Sequence, residues 1–426
     1  MPIRLILIIG LATRIAHAEE KCHTSTITEG IRLVHPKIAF GGSSYLVSWR
    51  PLEEFVGPPR AIELGADGAP IGEVRDFLAW DFEPVAFIGR PGGYLALGDR
   101  SHQDVAWLLD PAGTPVGEPF MLPSSSSDLP NAMEGVFDGD SFVLVWMVDG
   151  IGGTASVNLI RVSPNGTMTA REQIGGAPNV SVPGGESGPH RLIVAAGSAV
   201  TWVIWLADDQ VPRYSGVRIA RGGAVLDTEQ VPVFEGRWPA LGVDPAGGLR
   251  LVGFSNDGEV VSQHLGDDGT ISPPVPWATA GGRAMLALTP NASGYLLVRS
   301  GPVDEHPLAK LTTSSAQQLA PDGMPLGASW DLLGGNEPVA ATGAGTIAVA
   351  TATFVDRSDR TLSSIVAGVA DPARPAVTVD ESEETKRQEE YCSSCSAGGG
   401  AGLGLLVPVV LAARRRRRRP GLAGVR

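Results

Sequence analysis

Apolar and polar positions alternate along most of this chain in short runs, and each run stops at a glycine-rich turn. The clearest copy spans residues 36 to 70. Ile38 and Phe40 alternate with other residues before Gly41-Gly42, and Tyr45, Val47 and Trp49 alternate up to a polar loop. Ala61 to Leu64 form a third run, closed by Asp67-Gly68. A period of two is that of a half-buried strand. The unit therefore predicts two hairpins, or four short strands. It cannot bury both of its faces alone, so it needs copies of itself.

The copies are present. The strand–turn–strand core recurs at residues 84–97, 132–146, 191–205, 240–254, 284–299 and 338–350, making seven in all. The second turn recurs at Asp67-Gly68, Ala112-Gly113, Asn165-Gly166, Gly222-Gly223, Asp268-Gly269 and Asp322-Gly323, with spacings of 45, 53, 57, 46 and 54 residues. Two-residue hairpin turns need φ > 0, which favours Asp-Gly and Asn-Gly there. Seven units with four strands each predict an all-β chain folded as a seven-bladed β-propeller, whose closure protects the sheet edges. The irregular spacing leaves six or eight blades open, and two packed β-sandwiches are the alternative fold. Residues 24 to 34 either complete the last blade or lead into the first, and residues 363 to 379 can supply two further strands.

Composition agrees. Fifty-five glycines and 34 prolines suit many turns between short strands, and the aliphatic positions favour Val and Ile. The formal charge of −13 mixes compartments: the nine arginines before Ala18 and after Ala413 removed, residues 19 to 413 carry −22. So acidic a body excludes nucleic acid as a partner, since phosphates require a basic face. Cys22, Cys392 and Cys395 all lie outside the repeats, so no disulfide framework or zinc spacing organises the core.

The ends differ from the body. Arg4, the apolar run Leu5 to Ala12, and Ala16-His17-Ala18 have the form of a secretory signal over residues 1–18, cleaved after Ala18. The propeller domain is assigned to 19–379 and a charged, core-free linker to 380–391. Residues 392–426 then carry Cys392-Ser-Ser-Cys395, an apolar stretch at 397–413 just long enough to cross a bilayer, and Arg414, Arg415, Arg416, Arg417, Arg418 and Arg419. This tail resembles the MYXO-CTERM sorting tail of myxobacterial surface proteins. The resemblance implies a membrane protease that recognises the tail and cuts near Cys392 or Cys395, with Cys395 favoured by its closeness to the span. It also implies display at the cell surface, anchored or released after processing. A plain membrane anchor is the simpler alternative. The core Tyr45-Leu46-Val47-Ser48-Trp49 resembles a G-x-x-Y-L-V-x-W repeat of secreted myxobacterial proteins; Phe142 to Trp146 fits it, and Val200 to Trp205 fits loosely.

Candidate chemistry sits in the loops between second and third strands, which share one face of a propeller with the joints between blades. Glu53, Glu54, Asp99, Arg100, Asp208, Asp209, Asp304 and Asp356 are placed there, with Trp80 and Trp238 at the joints. Tryptophan rings stack on apolar sugar faces and carboxylates accept from hydroxyls, so a surface glycan or a protein is the expected ligand. No G-x-S-x-G, H-E-x-x-H or P-loop is present, and the histidines are scattered. No cofactor is expected. Asp138-Gly139-Asp140 and Asp267-Asp268-Gly269 share the composition of calcium loops without their spaced ligands, which leaves calcium as the one open cation. The leading expectation is a non-catalytic binding module. A hydrolase or lyase acting on extracellular polysaccharide and a structural envelope protein are the alternatives.

Overall fold

The computed structural model describes residues 22 to 370, apart from 32, 52–57, 80, 101–102, 124–131, 150–154, 178–191, 209–210, 280–283, 303–311, 344–345 and 358–359. Every regular element among them is a strand. β1 (Cys22–Ile31) precedes the repeats. Blade one holds β2 (Leu33–Phe40), β3 (Ser44–Pro51), β4 (Arg60–Gly65) and β5 (Pro70–Asp76). Blade two holds β6 (Phe82–Arg90), β7 (Gly93–Arg100), β8 (Asp104–Leu109) and β9 (Phe120–Met121). Blade three holds β10 (Ala132–Phe137), β11 (Phe142–Asp149), β12 (Ala155–Val162) and β13 (Glu172–Ala177). Blade four holds β14 (Leu192–Ala196), β15 (Val200–Asp208), β16 (Arg213–Ala220) and β17 (Val231–Glu235). Blade five holds β18 (Arg237–Val243), β19 (Leu249–Phe254), β20 (Glu259–Leu265) and β21 (Val275–Thr279). The last sheet holds β22 (Ala284–Asn291), β23 (Gly294–Pro302), β24 (Thr312–Leu319), β25 (Trp330–Thr342), β26 (Ile347–Arg357) and β27 (Arg360–Ala370), with β1 at its far edge.

The molecule is a β-propeller of six blades, not the expected seven. Five are antiparallel four-stranded sheets and the sixth has seven strands in the order β22-β23-β24-β25-β26-β27-β1. The cause is β25, which runs through without a break where a blade joint was expected. Its first half pairs with β24, from Ala316 opposite Trp330 to Thr312 opposite Gly335. Its second half pairs with β26, from Asn336 opposite Ala352 to Thr342 opposite Ile347. The seventh sequence unit is therefore joined to the sixth through β25 instead of being set apart from it. The sixth sheet folds back on itself at β25, so Ile347 and Val349 pack against Leu296 and Val298. β1 pairs with β27, from Cys22 opposite Ala370 to Ile31 opposite Leu362, and ties the start of the chain to its last strand. The ring excludes the two-sandwich alternative.

The second strands are not half-buried as their alternation predicts. Tyr45, Leu46, Val47, Ser48 and Trp49 are all fully buried. Tyr45, Val47 and Trp49 pack with Ala348 and Ala350 of β26, while Leu46 packs with Tyr94 and Ala96 of blade two. Each blade lies between two others, so both faces of its second strand are core. The turns between third and fourth strands also differ from expectation. They are three-residue loops: Gly65 N–H donates to Ala69 O at 2.8 Å and Gly68 N–H to Gly65 O at 2.9 Å. Only Gly68 in that turn has positive φ, +85°, as a type I turn followed by a left-handed residue requires.

Candidate binding site: rim, junctions and axial cavity

Second strands end at the rim where sequence places the candidate residues. Asp99 and Arg100 close β7, Asp208 closes β15, and Asp356 lies near the end of β26 opposite Thr361. On blade two Asp99 and Arg100 are successive strand residues and face opposite sides of the sheet. Arg100 Nε donates to Asp81 Oδ2 at 2.9 Å, and Asp99 stands opposite the buried Asp104 in the β7–β8 register. Asp208 sits two blades away, its Oδ1 accepting from Val211 N–H at 3.4 Å. Trp238 opens β18 with φ of +50° and is half-buried, edge-on to Phe254 with ring centroids 6.2 Å apart. It therefore packs as core between blades five and six. Glu53, Glu54, Trp80, Asp209 and Asp304 lie outside the described residues, as do Ala18, Cys392, Cys395 and Arg414 to Arg419; for Asp356 only the backbone is described.

The opposite rim carries a repeated ion-pair device that the sequence did not reveal. Arg161 of β12 donates from Nη1 to Asp138 Oδ2 at 2.6 Å and from Nη2 to Ala220 O of blade four at 2.8 Å. Arg218 of β16 pairs with Asp227 and donates from Nη1 to Asp267 O of blade five at 3.0 Å. Arg250 of β19 pairs with Asp244 and reaches Pro321 O of the sixth sheet at 3.2 Å. Each arginine thus joins its own blade to the next. Burial alone would raise the Asp138 carboxyl, but N–H donors of Ser141 and Asp140, Arg161 and Gly222 hold it below the usual carboxylate range. The same balance of burial against donors, with Arg218 the partner, lowers Asp227. Asp244 is lowered against its burial by Ala246 N–H, the Tyr295 hydroxyl, His264 and Arg250. His264 is not a scattered surface residue: its Nδ1 lies 3.0 Å from Asp244 Oδ2. The tyrosines of the repeat do a related task, with Tyr94 OH donating to Ser44 O of blade one at 3.2 Å and Tyr45 OH 2.7 Å from Thr346 Oγ1.

β2, β6, β10, β14, β18, β22 and the second half of β25 surround an axial cavity of about 430 Å³. Phe40, Phe87, Phe137 and Met285 are among its walls. Phe40, Val136 and Phe137 remain partly exposed, so solvent reaches the lining. One titratable side chain belongs to the described lining, Glu134 of β10. Burial pushes its carboxyl up to about 7, against the pull of Lys37. Lys37 comes from β2 at the same level. It lies three residues before Phe40, which pairs with Tyr45, as Glu134 lies three before Phe137, which pairs with Phe142. The sequence carried a signal for this site: these are charges inside inner strands where the other units place Ala or Val. A strand with one charge reads as solvated until its register in a ring is known. Among the described residues no cluster of three or more His, Cys, Asp or Glu side chains is arranged to hold a metal. No helix among them is long and apolar enough to cross a membrane.

No family model matches this chain and no curated protein does. Among solved structures it is similar to a neuraminidase-like protein of A/flat-faced bat/Peru, at 9% identity and a TM-score of 0.41 over 84% of this chain and 96% of that one. It is similar to the WD40 domain of SCAP from fission yeast, at 6% identity and a TM-score of 0.43 over 85% and 89%. A prolyl endopeptidase matches at 16% identity and a TM-score of 0.47, over 79% of this chain and 47% of that one. Values this low carry nothing about ligand or activity.

Proposed function

We propose that the chain is an exported, cell-surface binding module that holds its ligand at the axial cavity without changing it covalently. One observation carries this reading: among the described lining residues Glu134 supplies the one carboxyl group, beside the partly exposed rings of Phe40, Phe87 and Phe137. Glycoside hydrolysis uses two carboxyl groups facing one another across the sugar, typically about 5–10 Å apart. The paired carboxylates Asp138, Asp227 and Asp244 are instead engaged with arginines at the blade junctions. A cavity of this volume falls in the ordinary range for small ligands, about 300–1,000 Å³. Asp99 and Arg100 on blade two are the polar rim that would contact the rest of a surface glycan or protein partner. Export through residues 1–18 and sorting by a protease acting on the tail at 392–426 complete the reading, with membrane attachment through 397–413.

The test exposes the purified full chain to defined surface oligosaccharides and peptides, following retention and the mass of what is released. Retention with unchanged mass, weakened by Arg100→Ala, is the expected result. Shortened or unsaturated oligosaccharide products would replace this reading with the hydrolase or lyase alternative. Protease shaving of intact cells checks display: the propeller should be removed without lysis.

A further inference from the structure

The geometry points to a specific ligand class for the axial cavity: a primary ammonium group carried on an apolar, aromatic-sized body, its cation on the Glu134 carboxylate. This deepens the binding reading and rests on the cavity being the site. The walls supply the first half of the argument. Phe40, Phe87 and Phe137 stand partly exposed in the lining, and aromatic faces attract ammonium groups. Glu134 supplies the second half. It is the charged acceptor of the described lining. A carboxylate withdrawn from bulk water is stabilised by a cation brought to it.

Titration supports the geometry. The strands round the axis present two groups able to act on this site, Glu134 from β10 and Lys37 from β2. The lining contributed by β6, β14, β18, β22 and the described part of β25 is Ala, Val, Leu, Ile, Met, Phe, Pro, Gly and Thr. Lys37 already favours the ionised acid, yet burial keeps the carboxyl at about 7. A bound ammonium adds to the same effect, so binding requires loss of the Glu134 proton. Affinity must then rise with pH through neutrality, by about tenfold between pH 6 and pH 8 for a group that titrates near 7.

The experiment is calorimetric titration of the full chain with 2-phenylethylammonium, 2-phenylethanol and 3-phenylpropionate between pH 6 and pH 8.5. Preference for the ammonium over both analogues, with the stated pH rise, is expected. Glu134→Gln should lose at least tenfold in affinity and lose the pH dependence, while its circular dichroism stays that of the parent. Lys37→Met should move the midpoint of the pH profile upward, because the group that lowers the Glu134 carboxyl is gone. Equal binding of 2-phenylethanol would overturn the ammonium assignment while leaving the cavity a binding site. Binding of the ammonium by Glu134→Gln at parental strength and pH profile would place it elsewhere. Binding of none of the three would overturn the inference, while the oligosaccharide and peptide test judges the wider reading independently.

Discussion

Asp138 has both carboxylate oxygens filled. Oδ1 accepts from the N–H groups of Asp140 and Ser141 at 3.0 and 2.8 Å, and Oδ2 from Arg161. Its side chain is 2% exposed and that of Arg161 is 9% exposed. Asp138→Ala leaves a buried guanidinium without its counter-ion, and removing one partner of such a pair typically costs about 3–5 kcal/mol. Urea denaturation should show that loss. The Asp138 carboxyl is lowered in the folded state, so its contribution is present above the unfolded carboxylate pKa and disappears as pH falls through the folded value. Asp138→Asn should therefore flatten the acid limb of the stability profile. Glu134 has the opposite sign. Its carboxyl is raised from 4.5 to about 7, so its contribution is present below the unfolded pKa and is lost as pH rises toward 7. Glu134→Gln should make the protein more stable than the parent at pH 8, with the advantage shrinking below pH 5. None of this was legible from residue types alone. Asp138 read as part of a calcium-like stretch and Glu134 gave no signal by itself, because partners from other blades are set by closure of the ring.

At the level of elements, the alternation of Tyr45, Val47 and Trp49 and the glycine turns were legible, because period and turn chemistry are local. Burial on both faces of β3 was not, since the second face is covered by a blade about 50 residues away. The continuous β25 was also illegible. Its sequence Trp-Asp-Leu-Leu-Gly-Gly-Asn-Glu-Pro-Val-Ala-Ala-Thr contains a glycine pair and a proline, which read as a joint. The strand nonetheless runs on, with its pairing handed from β24 to β26 at Gly335 and Asn336. Two tests belong here. A Cβ at Gly89 would stand 1.6 Å from Phe40 O, where β6 and β2 approach each other, so Gly89→Ala should abolish soluble folded protein in a solubility and circular dichroism assay. Deleting residues 19–31 removes β1 and leaves the β27 edge open. Lower melting temperature and concentration-dependent aggregation should follow, measured by light scattering during a thermal ramp.

For the whole molecule, repetition fixed the class of fold and the cavity at its centre. It did not fix the number of sheets, which depends on one strand continuing where the period predicts a break. Of the loop rim chosen from sequence, Arg100 bonds Asp81 and Asp99 stands opposite Asp104 on blade two. The axial site was missed because its two charges are about 100 residues apart and meet only when inner strands share a level. The account joins these scales in one statement: arginine junctions and tyrosine contacts hold a ring whose described axial lining presents one acid, Glu134, beside phenylalanine rings. A crystal structure of the full chain soaked with 2-phenylethylammonium tests that statement most directly. The account predicts density for the aromatic body inside the cavity, its nitrogen within hydrogen-bond distance of a Glu134 oxygen. Density confined to the loop rim or the outer blade surfaces, with the cavity empty, would contradict it.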